Sequence, residues 1–173
     1  MKSLMLTVGL ALVCGLQALN NNAEDSPEPT GKWFTIALAS NVTSKIEEGG
    51  SLQIFVKSLW EHDGLLTGVF FKRQNGKCNQ FSLTASPGED GQLHGLYDGE
   101  NAFSLESGDS EHLIFVLYNT KDKEVTVWAQ LYGRTPDVSD EIKKKFEEIS
   151  VRVGIRKDQI RDLSKDDRCQ ELR

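Results

Sequence analysis

The chain is poor in the residues that most enzyme chemistry requires. Its 173 residues include only three His and three Cys. His62, His94 and His112 stand far apart, none in an HExxH or comparable metal-ligand spacing and none beside a Cys. There is no glycine-rich phosphate loop. The nearest approach to a nucleophile elbow, Gly108-Asp109-Ser110-Glu111-His112, lacks the closing Gly and any helix after it. These shortages predict a protein that is not an enzyme and that takes no cofactor and no metal.

Basic charge is scarce too. Lys and Arg number 20 against 26 Asp and Glu, a net charge of −6 and a pI near 5.1. A fold that grips phosphate backbones needs the opposite balance, so nucleic acid is excluded as an expected partner. Proline is rare as well, with only 4 residues, while 38% of the chain is hydrophobic and 27% charged. That mixture supports a packed core and not a disordered chain.

Long apolar runs are missing after the N-terminus. Leu4–Leu16 is shorter than the ~20 residues a bilayer span needs. It follows the basic Lys2 and ends in Gln17-Ala18, with a small residue where signal peptidase cuts. Residues 1–18 are therefore expected to be a secretory signal peptide, and 19–173 a single domain, in line with a prior of roughly 150 residues per domain. The expected protein is secreted and extracellular, with no membrane insertion. Cys14 leaves with the signal. Cys78 and Cys169 remain, which permits one connectivity, and an oxidising compartment makes their disulfide the default. Asn41-Val42-Thr43 is an N-glycosylation sequon, meaningful because the chain is expected to be secreted.

What the sequence does have is strands. Lys32–Ser40, Ser51–Trp60, Leu65–Lys72, Cys78–Ala85, Gln92–Tyr97, Ala102–Glu106, His112–Asn119 and Glu124–Gly133 are rich in Val, Ile, Phe, Leu, Thr and Trp. Asp-Gly, Asn-Gly and Pro-Gly pairs separate many of them, as tight hairpins require. The longer break from Asn41 to Gly50 could lie as a loop over one end. From Ser139 the period changes: Ile142, Phe146, Ile149 and Val153 share one helical face, Ser139 can cap it and Gly154 can end it. Glu141/Lys145, Lys143/Glu147 and Lys144/Glu148 stand four apart and suggest a solvated, charge-paired outer face. Gln159–Leu163 could add a short last strand.

His112–Asn119 is apolar without alternation through its middle. An antiparallel strand reads this way only when both faces are covered. In Glu124–Gly133, Thr126, Trp128, Gln130 and Tyr132 share one face, while Val125, Val127, Ala129 and Leu131 share the other. A helix outside and an apolar layer inside would satisfy both strands. The expected fold is all-β: an eight-stranded antiparallel up-and-down barrel, with one C-terminal α-helix packed outside. Such a barrel can enclose one small ligand.

Gly31-Lys32-Trp33 resembles the GxW signature of the lipocalins, and Leu131-Tyr132-Gly133-Arg134 resembles their third motif, whose Arg stacks on that Trp. Leu38-Ala39-Ser40-Asn41, Tyr97-Asp98-Gly99 and Asp166-Asp167-Arg168-Cys169 resemble segments of the odorant, urinary and mammalian-allergen branch. Where the family's second motif has Thr-Asp-Tyr, this chain has Ser107-Gly108-Asp109. The resemblance implies a carrier of small hydrophobic molecules of odorant or pheromone type. With strand alternation, it implies a lumen lined by Leu52, Ile54, Val56, Phe70, Leu83, Phe103, Phe115, Leu117, Trp128 and Tyr132, although each could equally be plain core. In the resembled urinary branch the Tyr of the LYGR segment points into the pocket, so Tyr132 is the expected hydrogen-bond donor to ligand. The lipocalin isomerase uses a free lumen thiol, and here both mature Cys are committed to the bridge.

Charged residues are scarce on the expected lumen face, which suits neutral ligands better than organic ions. Burying ~250–300 Å² of ligand at ~25 cal/mol/Å² gives ~6–8 kcal/mol before entropic costs, an affinity near micromolar. The alternative is a secreted interaction protein whose barrel loops bind a receptor or enzyme. A homodimer is compatible with either.

Overall fold

Positive-φ residues turn the chain between successive strands. Asn75 and Gly76 have φ of 52° and 74°, and Asp122 and Lys123 manage the same bend without glycine at 51° and 66°. The structure is a computed structural model that describes residues 29–173, so the expected signal segment lies outside the described residues. Its strands are β1 (Gly31–Lys32), β2 (Phe34–Ser40), β3 (Phe55–His62), β4 (Leu65–Gln74), β5 (Lys77–Pro87), β6 (Leu93–Leu96), β7 (Glu100–Gly108), β8 (His112–Lys121), β9 (Glu124–Gly133) and β10 (Ile160–Asp162). The helix α1 spans Asp140–Arg152.

All pairings are antiparallel, and the ladder runs β1-β3-β4-β5-β6-β7-β8-β9-β2-β10. Its two ends belong to one segment, because β1 and β2 are separated only by Trp33. Gly31 and Lys32 pair with Leu59 and Ser58, while Phe34–Ser40 pairs with β9. The sheet thus returns to its own start, and β1 with β2 counts as the first of eight barrel strands. β10 lies outside that ring, paired to Ala37–Ala39.

Beyond Lys32 the first segment leaves β3, and side chains bridge the seam. Thr35 Oγ1 accepts the Val56 N–H at 2.8 Å. The Trp33 N–H still donates to Lys57 O at 3.1 Å, and the C-terminal tail supplies further donors: Arg168 Nη1 reaches the Thr35 carbonyl at 2.8 Å, and Arg173 reaches the Trp33 and Val56 carbonyls at 3.3 and 3.1 Å. The Arg173 guanidinium also covers the Phe34 and Phe71 rings, 4.7 and 5.4 Å from their centroids. Burial and the neighbouring Arg168 charge pull the Arg173 pKa down to about 10. A disulfide joins Cys169 to Cys78 on β5, with Cα atoms 5.7 Å apart, and fixes this tail across the barrel wall.

Apolar residues divide into two layers, as the two-faced reading of β8 and β9 requires. Trp128, Tyr132, Phe115 and Leu117 belong to the inner cluster. Ile114, Val116, Ala129 and Leu131 belong to an outer cluster with Phe146 and Ile149 of α1. Ser139 caps the helix, its Oγ accepting from the Ile142 N–H at 3.3 Å. At the other end Gly154 N–H bonds Val151 O and Ile155 N–H bonds Ser150 O, a Schellman ending.

Two expectations need correction. The helix does not form the anticipated four-apart ion pairs among the described residues. Lys143 instead reaches Asp137 and Asp162 at 2.8 and 2.9 Å, and Glu147 pairs with Lys157 at 3.2 Å. Partners on the segments before and after the helix, Asp137, Lys157 and Asp162, take the place of those on the helix itself. The second strand also starts later than Ser51. Residues 41–54 form a loop with a short 3-10 turn at Thr43–Lys45, and its Ile46 and Leu52 are fully buried. Leu52 N–H bonds Lys45 O, which folds the loop inward across the barrel end.

Candidate ligand-binding site

The barrel is sealed at the end where β2 begins. Trp33 is 1% exposed, its indole N–H donates to Pro29 O at 2.7 Å, and the Arg134 guanidinium lies 3.7 Å from its ring centroid. Arg134 also donates to the Lys32 and Thr30 carbonyls at 2.9 and 3.0 Å. The two resembled motifs therefore meet as a stacked, hydrogen-bonded plug.

The departing second motif builds a side-chain-bonded turn beside that plug. Asp109 Oδ1 accepts the Glu111 and His112 backbone N–H groups at 2.7 and 2.9 Å and the His112 Nδ1 contact at 2.9 Å. On the other side of the ring, His112 Nε2 lies 3.0 Å from Ser107 Oγ. The order Ser, His, Asp matches that of a hydrolytic triad, and sequence reading missed Ser107 by attending to Ser110. None of the three lines the cavity, and Asp109 serves the turn. Burial opposes its ionisation, but the two backbone N–H groups and His112 outweigh this and hold its pKa below the ordinary carboxylate value.

At the opposite end the 41–54 loop is latched from several directions. Tyr97 OH donates to Ser51 O at 2.8 Å, Lys72 Nζ to Gly50 O at 2.6 Å and Lys45 Nζ to Thr126 Oγ1 at 2.7 Å. Burial, reinforced by the Asp98 charge, pushes the Tyr97 phenol up to about 12. Asn41 is exposed at the start of this loop, and its side-chain oxygen accepts the Val127 N–H at 3.1 Å.

Between plug and loop lies a cavity in which the centres of water molecules can occupy about 80 Å³. At ~10–15 Å³ per water on that measure, it has room for about five to eight waters, the space of a single-ring or short-chain molecule. Ile54, Phe70, Leu83, Phe103, Phe115, Leu117, Trp128 and Tyr132 line it, together with Leu59, Leu66, Ala85 and Leu96. Leu52 and Val56 do not. Leu52 sits in the inturned loop, and Val56 is drawn to the seam by Thr35, although both belong to the surrounding apolar cluster. The ring centroids of Phe103 and Phe115 lie 5.9 Å apart, and those of Phe115 and Tyr132 5.7 Å. Gly68 also faces the cavity, and a Cβ there would come within 2.5 Å of the Phe70 ring. Its missing side chain is what lets Phe70 lie along the wall.

No lining residue is charged. The polar members are bonded mainly to one another or to backbone. Trp128 Nε1 and Asn119 Nδ2 both donate to Asn101 Oδ1, at 3.3 and 3.2 Å, and Asn101 Nδ2 donates to Tyr97 O at 2.8 Å. The Tyr132 hydroxyl donates to Gln130 Oε1. Burial pushes the Tyr132 phenol far above its ordinary pKa, so it stays protonated. The donor expected to face ligand thus has a protein acceptor, a detail of rotamer that alternation does not encode. Tyr97 and Gly95 were also missed as lining residues, because a turn and a four-residue strand carry too little periodicity to assign a face, and Asn101 was missed because β7 begins before the expected Ala102.

Comparison with known proteins agrees with this architecture. Residues 30–167 match the model of the lipocalin / cytosolic fatty-acid binding protein family. Trichosurin of Trichosurus vulpecula is 39% identical, over 98% of this chain and 100% of its own. The major allergen Equ c 1 of Equus caballus is also 39% identical, over 100% of this chain and 96% of its own. A crystal structure of possum milk whey trichosurin with bound 4-ethylphenol superposes with a TM-score of 0.77 at 40% identity, covering 81% of this chain and 99% of that one. Matched motifs, barrel and relatives coincide, and the chain belongs to the lipocalin / cytosolic fatty-acid binding protein family.

Proposed function

We propose that the protein is a secreted carrier that binds small, neutral, hydrophobic molecules inside its barrel. The observation that carries this reading is the apolar cavity inside the barrel with no charged lining residue. The walls at Ile54, Phe70, Leu83, Phe103, Phe115, Leu117, Trp128 and Tyr132 would supply affinity through buried area, with Leu52 and Val56 backing them. The 4-ethylphenol bound by trichosurin is a molecule of the size this cavity admits. Binding rather than catalysis is favoured because Ser107, His112 and Asp109 lie outside the cavity and are tied into a turn.

Secretion rests on the 1–18 segment, on the disulfide and on a relative named from milk whey. Intact mass after expression in a secreting cell should show Leu19 as the first residue, and loss of mass on enzymatic deglycosylation would place a glycan at the exposed Asn41. A receptor or a second copy of the chain would add contacts at the loops without altering the cavity. The direct test of carriage is displacement of a fluorescent naphthylamine probe. The purified protein should bind the probe and release it to small aromatic ketones or phenols at micromolar concentrations. A protein that binds no probe and no such ligand would favour the alternative, a scaffold whose loops bind another protein.

A further inference from the structure

The cavity is apolar but not mute. Its side-chain donors are nearly all engaged: Trp128 by Asn101, Asn101 by Tyr97 O, Tyr97 by Ser51 O, Thr84 by Thr67, and Tyr132 by Gln130. Gln130 differs. It lies on the inner face of β9 between Trp128 and Tyr132, with Phe115 and Leu38 as register partners on either side. The residue is only 5% exposed and lines the cavity. Its oxygen is taken by the Tyr132 hydroxyl. Its Nε2 takes part in none of the hydrogen bonds found among the described residues, and it is not one of the fully buried polar atoms left unpaired, so it is not sealed off by protein.

An amide N–H that faces an apolar cavity loses free energy when a ligand displaces water from it, unless the ligand brings an acceptor. No surrounding lining side chain supplies one. We propose that the Gln130 side-chain amide is the hydrogen-bond donor of this cavity, and that it selects neutral ligands carrying one accessible acceptor oxygen: ketones, aldehydes, ethers and phenols. Tyr132 acts through it. By donating to Oε1, the hydroxyl fixes which end of the amide faces the ligand and leaves Nε2 directed at the cavity. Shape and area set how tightly a ligand binds, and Gln130 sets which ligands of equal area bind better. A site built to donate discriminates against an analogue without the acceptor, because the N–H is then left unpaired.

This inference rests on the carrier reading, and the experiment separates the two. Acetophenone and ethylbenzene have nearly the same size and differ in one carbonyl oxygen. Calorimetric titration of each would be run on the wild type, Gln130→Met and Tyr132→Phe, with the melting temperature of each variant recorded. Gln130→Met keeps length and apolar volume and removes the donor. The expected result is an acetophenone affinity about five- to tenfold lower in Gln130→Met, an ethylbenzene affinity changed less than about twofold, and a smaller selective loss in Tyr132→Phe. In the wild type, the Gln130 side-chain NH₂ resonances should shift with acetophenone and not with ethylbenzene, a readout that needs no variant. Equal losses for both ligands, or no selective loss in Gln130→Met, would overturn the assignment. A selective loss confined to Tyr132→Phe would overturn it in favour of the tyrosine as donor. Failure of the wild type to bind either molecule would remove the carrier reading itself.

Discussion

Trp33 and Arg134 show most directly how single residues hold this fold. The indole is buried between the Pro29 carbonyl and the guanidinium, and the guanidinium in turn takes the carbonyls of Thr30 and Lys32. Trp33→Ala should therefore cost ~3–5 kcal/mol of stability, measured by urea denaturation, through lost packing and a cavity at the plug. Its ligand preference should not change, because Trp33 is not a lining residue. Normal stability with altered ligand ranking would place Trp33 in the pocket instead. These residues were legible in the sequence, since their role follows from a motif that fixes both position and partner. Gln130 was only half legible. Alternation put it on the same face as Trp128 and Tyr132, but nothing in a period of two says that its oxygen would take the tyrosine hydroxyl.

Among elements, the C-terminal tail is the one whose role the sequence understated. Cysteine counting gave the Cys78–Cys169 pair, and the structure adds what the bridge holds in place. Arg168 and Arg173 close the seam where the first segment leaves β3, and they bond the carbonyls of Thr35, Trp33 and Val56. The bridge closes a separation of 91 residues. Its removal by Cys78→Ser with Cys169→Ser should lower stability by ~2–5 kcal/mol, in part by releasing these guanidinium groups. Hydrogen exchange should then rise at Val56 and its β3 neighbours while β8 and β9 stay protected. Uniform loss of protection around the barrel would contradict the seam. The strands from β3 to β9 were legible because turn residues and branched side chains mark both their ends and their interiors. The split at Trp33 and the late start of β3 were not, since both arise from how a closing sheet shares one segment between two edges.

On the scale of the molecule, many acidic side chains are held in local ion pairs that tie loops and chain ends to the barrel. Lys143 shows the pattern. Its hydrogen bond holds the Asp137 carboxyl below the ordinary value of 3.8. At Asp162 partial burial works against ionisation, but Ser164 and Lys143 together prevail and lower the pKa. A carboxylate with a lower pKa in the folded state stabilises the fold above its unfolded pKa. That contribution disappears as the pH falls through the folded value. Because the carboxylates are about half exposed, each pair should contribute only ~0.2–1 kcal/mol. Lys143→Met should lower the urea midpoint at about pH 7, and wild type and variant should converge in acid once both carboxylates are protonated in the folded state. A difference that persists in acid would assign the loss to packing instead.

The same scale holds the central claim, that a sheet returning to its own first segment, with α1 packed outside β8 and β9, holds a binding space for one small neutral molecule. A crystal structure of the protein grown with acetophenone tests it most directly. The account predicts one ligand inside the barrel, its ring among Phe70, Phe103, Phe115 and Trp128 and its oxygen within hydrogen-bond distance of Gln130 Nε2. A lumen filled by its own side chains, with the ligand absent or bound only on the outer surface, would contradict it.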